Sequence, residues 1–320
     1  VRILTIVNLR SGQADAGLYD YLRALGRSEC EIVVRFIGQK RTLHSMLEDA
    51  KEYDRVVAVG GDGTVSGVCY ELRDTGIPML PYPAGTTNLL ALNLRLPTEP
   101  LELADLTTNG AIRSIDIGEL ACLRPGDDCS PEGATEDWAG RSRRGFMIMA
   151  GAGFDAAIMD AAREYKHTVG WGAYLVGALQ NLIPTRSRFQ LELDGESTER
   201  EGIAVLVANA ARLKFDLSFS RSSDPADGIF EVIIVRTRNA VELLPAVWTT
   251  LASRAIDLPD KTPGLEILRA RTVRVDAEPE LALQYDGEYI GANTPFKATV
   301  LPGAGTLVVS DTFLEEWGHD

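Results

Sequence analysis

Residues 56–68 read VVAVGGDGTVSGV, a run of apolar residues that breaks abruptly into GGDGT. A short, wholly apolar strand of this kind is buried on both faces, which is the signature of a parallel sheet covered by helices. The carboxyl end of such a strand is where open α/β sheets gather their ligands. The glycines there either present backbone N–H groups to a phosphate or simply make a tight turn.

The flanking sequence bears on that choice. ILTIV at 3–7 is followed by Leu18, Tyr21, Leu22 and Leu25, and EIVVRFI at 31–37 by Leu43, Met46, Leu47 and Ala50, both at helical spacing. IPMLPYPAGTTN at 77–88 repeats the theme of a short strand running into small residues. Three loops therefore fall at successive strand ends: NLRSG at 8–12, GGDGT at 60–64 and PAGTTN at 83–88. One such loop is weak evidence for a phosphate site, whereas three together are hard to explain as turns alone. Their spacing matches neither G-x-x-x-x-G-K-[ST] nor G-x-G-x-x-G, so an ordinary P-loop or dinucleotide fold is not supported.

After about residue 112 the pattern changes to strand-like segments, among them IRSIDIGEL, RGFMIMAG, RFQLELD, IAVLVAN, IFEVIIVR, TVRVD, LALQYDGE and FKATVL. These predict a mainly antiparallel second domain, interrupted by helices near 154–166 and 239–256. The polar stretch 124–144 is expected as a long exposed loop. The expected division is 1–111 for an α/β nucleotide-binding domain and 112–302 for a mainly β domain that binds the acceptor and is catalytic. The tail, about 303–320, returns to the first domain.

The 320 residues are 45% hydrophobic and 24% charged, enough for a sizeable core. Thirty-two basic against 46 acidic side chains give a net charge of −14, which argues against nucleic acid as a partner and leaves only transient contact with a membrane surface. Cys30, Cys69, Cys122 and Cys129 form no C-x-x-C pair and are expected as reduced thiols. His44, His167 and His319 are isolated. No apolar run approaches the ~18 residues of a spanning helix and the start has no signal-peptide layout, so a cytoplasmic protein is expected.

GGDGT followed by PAGTTNLLALNL, then GAGFDAAI at 151–158, DPADGIFEVIIV at 224–235 and YDGEYIG at 285–291, resembles in order and spacing the diacylglycerol kinase and sphingosine kinase family. That family belongs to the superfamily that also holds NAD kinases. The resemblance covers nearly the whole chain. It implies an α/β N-terminal domain with a parallel sheet, of the NAD kinase and diacylglycerol kinase type, and a mainly antiparallel β-sandwich C-terminal domain. It also implies ATP- and Mg-dependent phosphoryl transfer to a lipid alcohol, diacylglycerol-like, in a cleft between the domains. A homodimer would be in keeping with bacterial members.

By the same resemblance, Asn8, Ser11, Gly12, Gly60, Gly61, Asp62, Gly63, Thr64, Ser66, Thr86 and Asn88 face the nucleotide. Asp62 orders Mg through water or binds the acceptor hydroxyl. Asp-Gly-Glu occurs twice, at 194–196 and 286–288. The first copy joins two strands and reads as a hairpin turn. The second carries the family's catalytic pair, with Asp286 or Glu288 taking the proton and the other organising metal or water. Asp227, with backbone oxygens from Asp224 and Ile229, resembles a structural Mg site of some bacterial members. The apolar face of 169–183 reads as core or as a lipid channel.

The sequence departs from the family pattern at three places. Asn8-Leu9-Arg10-Ser11-Gly12 lacks a proline, Val65-Ser66-Gly67-Val68 lacks the usual amide and carboxylate, and 209–220 lacks a glycine-rich run. The first two bear on nucleotide affinity and the third on the acceptor. The alternatives are a kinase with a soluble acceptor such as NAD, and a non-catalytic nucleotide- or lipid-binding regulator.

Overall fold

The computed structural model describes residues 1–10, 16–38, 42–85, 88–124, 143–153, 185–209, 212–213, 217–218, 225–236, 264–286 and 288–317. The helices expected near 154–166 and 239–256, and the apolar face of 169–183, lie outside these residues, as does all but the ends of the loop expected at 124–144.

Four parallel strands open the fold: β1 (Arg2–Val7), β2 (Glu31–Phe36), β3 (Arg55–Gly60) and β4 (Met79–Pro83), ordered β2-β1-β3-β4. Their side chains alternate between two helical layers, as a doubly covered sheet requires. Leu4, Ile6, Val56 and Ala58 pack on Met46 and Leu47 of α2 (Leu43–Leu47) and on Val65, Val68 and Cys69 of α3 (Asp62–Glu71). Ile3, Val7, Val57 and Val59 pack on Leu18, Tyr21 and Leu25 of α1 (Ala16–Arg27), with Leu103 of α5 (Pro100–Asn109). The short α4 (Leu89–Asn93) lies between, after β4.

The chain continues through β5 (Ala111–Cys122), β6 (Arg143–Phe146), β7 (Met149–Ala152), β8 (Ser187–Leu193), β9 (Glu196–Gly202) and β10 (Ala204–Ala208). Two-residue strands β11 (Arg212–Leu213) and β12 (Leu217–Ser218) follow, then β13 (Phe230–Val235), β14 (Leu265–Ala270), β15 (Thr272–Glu278), β16 (Ala282–Tyr285), β17 (Glu288–Asn293) and β18 (Phe296–Val309). Six of these form an antiparallel sheet ordered β14-β13-β10-β7-β16-β17. Between it and the layer holding β15, β8 and β5 lies a second core that includes Phe146, Phe189, Phe230, Val273 and Phe296, with the Phe146 and Phe230 rings stacked at 5.6 Å.

The parallel sheet and one sandwich layer are a single sheet. β18 pairs antiparallel with β15 at its start and runs parallel to β4 near its end, where Leu307 stands opposite Met79. β5 follows β18 along its length, with a bulge between Leu301 and Gly305. Asp116 braces this bulge, its buried carboxylate accepting from the N–H groups of Gly303 (2.8 Å) and Gly228 (2.6 Å). Beyond β18 the helix Asp311–Trp317 returns Phe313 to the first core.

No helix among the described residues is long and apolar enough to cross a membrane. The expectation of reduced thiols is corrected at Cys122, which is disulfide-bonded, while Cys30 and Cys69 are free. Spacing alone gave no sign of this, because no C-x-x-C pair is present.

Candidate active site

The GGDGT stretch is shorter as a loop than its composition suggests. Gly60 closes β3, Gly61 is the extended N-cap (φ −81, ψ 177), and Asp62, Gly63 and Thr64 already form the first turn of α3. The amino-terminal end of this helix carries the positive partial charge of its macrodipole, which attracts anions. No side chain of Gly61 covers that end.

The neighbouring loops lock onto this turn. Asn8 donates through Nδ2 to Thr64 Oγ1 (2.8 Å) and accepts at Oδ1 from the Arg10 N–H (3.0 Å), so its amide joins the first loop to α3. Asn88 sits in the left-handed region (φ 51) and closes a ring on Gly85, accepting from its N–H and donating to its carbonyl, both at 2.8 Å. Gly85 in turn abuts Gly61 so closely that a Cβ there would stand 2.5 Å from the Gly61 Cα. Asp62 accepts from the Leu90 N–H at 3.1 Å, tying the second loop to α4. These side chains shape the strand-end cradle and hold its loops together. Ser11, Gly12 and Thr86 lie outside the described residues.

The opposite wall comes from the C-terminal half. β16 and β17 are joined by a hairpin in which Asp286 takes a left-handed conformation (φ 45) and Glu288 opens β17. The carboxylate of Glu288 lies over the first turn of α3, where a Cβ on Gly63 would meet its Cδ and Oε1 at 2.6 Å. Asp286 points elsewhere. It is 3% exposed, and its carboxylate accepts from the N–H groups of Met147 (2.8 Å), Ile148 (2.9 Å) and Met149 (3.0 Å) and from the Ser66 hydroxyl. Burial pushes its carboxyl up to about 6, and the Ser66 and backbone donors pull against that rise. Burial likewise raises the neighbouring Tyr285 phenol, helped by Glu288 and opposed by Arg144.

Two of the expected roles change on this geometry. Asp286 is enclosed by protein donors and does not present an oxygen to an acceptor hydroxyl, so of the pair only Glu288 faces the cradle. Ser66, expected against the nucleotide, is 1% exposed and spends its hydroxyl on Asp286. The first Asp-Gly-Glu is a hairpin turn, as read from the sequence: Asp194 (φ 51) and Gly195 (φ 91) join β8 to β9. The Asp194 carboxylate accepts from the N–H groups of Arg271 and Thr272.

Among the described residues no group of three or more His, Cys, Asp or Glu gathers to hold a metal. Asp227 pairs with Arg269 (Nη2 to Oδ2, 2.5 Å) and accepts from the Ile229 N–H at 3.0 Å. A cation there would compete with a guanidinium, so these residues as placed do not fit the expected structural Mg. Asp224 lies outside the described residues. Asp62 does fit a Mg carried on phosphate oxygens, because Mg typically takes only one or two carboxylates and otherwise keeps water and phosphate.

Residues 2–120 match the model of the diacylglycerol kinase catalytic domain, and residues 148–309 match that of the YegS C-terminal NAD kinase beta sandwich-like domain. The chain belongs to the diacylglycerol kinase-like family of lipid kinase catalytic domains. An uncharacterized protein of Synechocystis is 28% identical over 257 residues, which is 77% of this chain but 53% of that protein, so the chain spans about half of this relative. A Mycobacterium tuberculosis protein named diacylglycerol kinase is 27% identical over 258 residues, 80% of this chain and 76% of the relative. In fold, the chain superimposes on a putative diacylglycerol kinase from Bacillus anthracis with a TM-score of 0.72 at 20% identity, covering 97% of this chain and 98% of the other.

Proposed function

We propose that this protein transfers the γ-phosphoryl group of ATP to the hydroxyl of a diacylglycerol-like lipid, with Glu288 as the general base. The observation that carries this reading is the placement of the Glu288 carboxylate over the first turn of α3, beside the strand-end cradle. Phosphoryl transfer asks a protein for positioning and charge neutralisation. The α3 amino-terminal end and the loops fixed by Asn8 and Asn88 suit the phosphates. Mg bound with the nucleotide supplies neutralisation of phosphate charge, and Asp62 is the residue that would help hold it. A carboxylate beside the transferred group can take the proton from an attacking hydroxyl, which is typically worth ~10² to 10⁴ in rate. The named relative from Mycobacterium supports diacylglycerol as the acceptor class.

The test is transfer of radiolabel from γ-labelled ATP with Mg to a panel of diacylglycerol, sphingosine, another long-chain alcohol and NAD⁺. Labelled phosphatidic acid is expected, lost in Glu288→Gln. Labelling of NAD⁺ with none of the lipids would overturn the acceptor, and nucleotide binding without turnover would overturn the enzyme.

A further inference from the structure

The segment Met147–Met149 is gripped from two sides. Its three N–H groups converge on the Asp286 carboxylate, and the Met149 carbonyl accepts from the Asp286 N–H at 2.8 Å. From the other side Asn209 donates through Nδ2 to the Met147 carbonyl (3.1 Å) and through its backbone N–H to the Ile148 carbonyl (2.8 Å). The same Nδ2 reaches the Asp116 carbonyl at 2.8 Å, on β5. Met147 and Ile148 are wholly buried and Asn209 is 3% exposed, so water cannot replace these partners.

A carboxylate in this position would otherwise be costly to bury, and its donors fix where it sits. Because Asp286 holds a left-handed turn one residue before Gly287, anchoring its side chain also fixes where Glu288 leaves the hairpin. Among the described residues Ser66 adds a side-chain donor from the N-terminal half, on the face of α3 that Gly63 shares three residues earlier.

We propose that Ser66 and Asn209 are positioning residues: Ser66 directly, and Asn209 through Met147–Met149, seat the Asp286 carboxylate and thereby aim Glu288 at the cradle. This rests on Glu288 being the base. Both side chains are buried against protein partners, so their loss should act on the rate of transfer and leave nucleotide affinity in place. Ser66→Ala suits the test because alanine is the better helix former.

The experiment compares wild type, Ser66→Ala, Asn209→Ser, Asp286→Asn, Glu288→Gln and the double variant Ser66→Ala/Asp286→Asn on the acceptor that wild type phosphorylates. For Ser66→Ala, kcat should fall about tenfold or more, as loss of a hydrogen bond to a charged group implies. Its KM for ATP and calorimetric ATP affinity should move less than about twofold, the mark of an interaction that acts in the transition state. Asn209→Ser should show the same split. Adding Ser66→Ala to Asp286→Asn should cost nothing further, since both act through one carboxylate.

If Ser66→Ala instead weakens ATP binding at unchanged kcat, Ser66 is a nucleotide contact and the inference falls. Independent, multiplying losses in the double variant overturn it too. Full activity in Glu288→Gln, or no turnover by wild type, removes the underlying reading and this inference with it. Full activity in Ser66→Ala beside an inactive Glu288→Gln removes the positioning role alone.

Discussion

Replacing Gly63 with alanine puts a methyl carbon into space that the Glu288 carboxylate occupies. The new Cβ would stand 2.6 Å from Cδ and Oε1 and 2.7 Å from Oε2. Non-bonded carbons rest at roughly 3.5–4.0 Å, so the carboxylate has to withdraw by ~1 Å. The obstacle is the far end of a flexible side chain, so the fold can accept the change. Inside a helix, alanine is favoured over glycine by about 1 kcal/mol.

Stability and activity should therefore separate. A displacement of ~1 Å at a reacting group costs on the order of 10²-fold in rate. In Gly63→Ala we expect kcat to fall by about that factor while the thermal midpoint holds or rises. The measurements are initial rates of lipid phosphorylation at saturating ATP, a thermal melt and calorimetric ATP affinity. A variant that folds and keeps the wild-type kcat would refute the placement of Glu288 as the base. A variant whose rate falls only because ATP no longer binds would show that the methyl group acts on the phosphate cradle instead.

Three further outcomes follow from the same contacts. Burial raises the Asp286 carboxyl to about 6, so between its unfolded value of ~4 and that pH the folded state binds more protons than the unfolded chain. Its contribution to stability is then fullest below about pH 4 and declines by about 3 kcal/mol as pH rises through 6; urea unfolding of wild type against Asp286→Asn should show the variant lacking that slope, and an identical slope would contradict it. Gly85→Ala would press a Cβ to 2.5 Å from the Gly61 Cα, and such overpacking of backbone should cost ~1–3 kcal/mol in unfolding experiments and weaken ATP binding. Asp194→Ala removes acceptors for Arg271 and Thr272 and should lower stability by ~1–2 kcal/mol with kcat unchanged; a loss of turnover there would mean that the wrong Asp-Gly-Glu has been assigned.

The two copies of that tripeptide show what a sequence can and cannot disclose. Both make hairpins with aspartate at positive φ, 51° at Asp194 and 45° at Asp286, so local turn chemistry is the same and legible in both. What separates them is the surroundings: an edge hairpin between β8 and β9 in one case, and α3 with the Met147–Met149 segment in the other. The order of motifs along the chain singled out the 286–288 copy, but only long-range packing shows which of its carboxylates is enclosed and which lies over α3. Apolar periodicity likewise disclosed β1–β4 and their helices, because each of those elements is defined by its own neighbours. It could not disclose that β18 carries the parallel sheet into the sandwich, since that pairing joins residues hundreds of positions apart. Asn209 escaped notice for the same reason: a lone asparagine after an apolar strand has no signature until its partners at Asp116 and Met147 are known.

Helix α3 is the element on which these contacts converge, and its sequence explains why. Gly63, Ser66 and Tyr70 recur at helical spacing on one face. Gly63 admits Glu288, Ser66 holds Asp286, and Tyr70 packs where a Cβ on Gly145 would come within 2.4 Å while its hydroxyl donates to Glu119 (2.5 Å), which Arg143 also holds at 2.9 Å. The other face, Val65, Val68 and Cys69, is sealed into the first core. One helix thus turns its amino-terminal end to the strand-end loops and its flank to the hairpin that bears Glu288. The separation between the two is then set by how closely the Glu288 hairpin seats on this helix at Gly63. Because Glu288 itself belongs to β17, alignment of the proposed reaction depends on the contacts of Gly63 and Ser66 with the hairpin, and a shift of α3 against that hairpin would undo it.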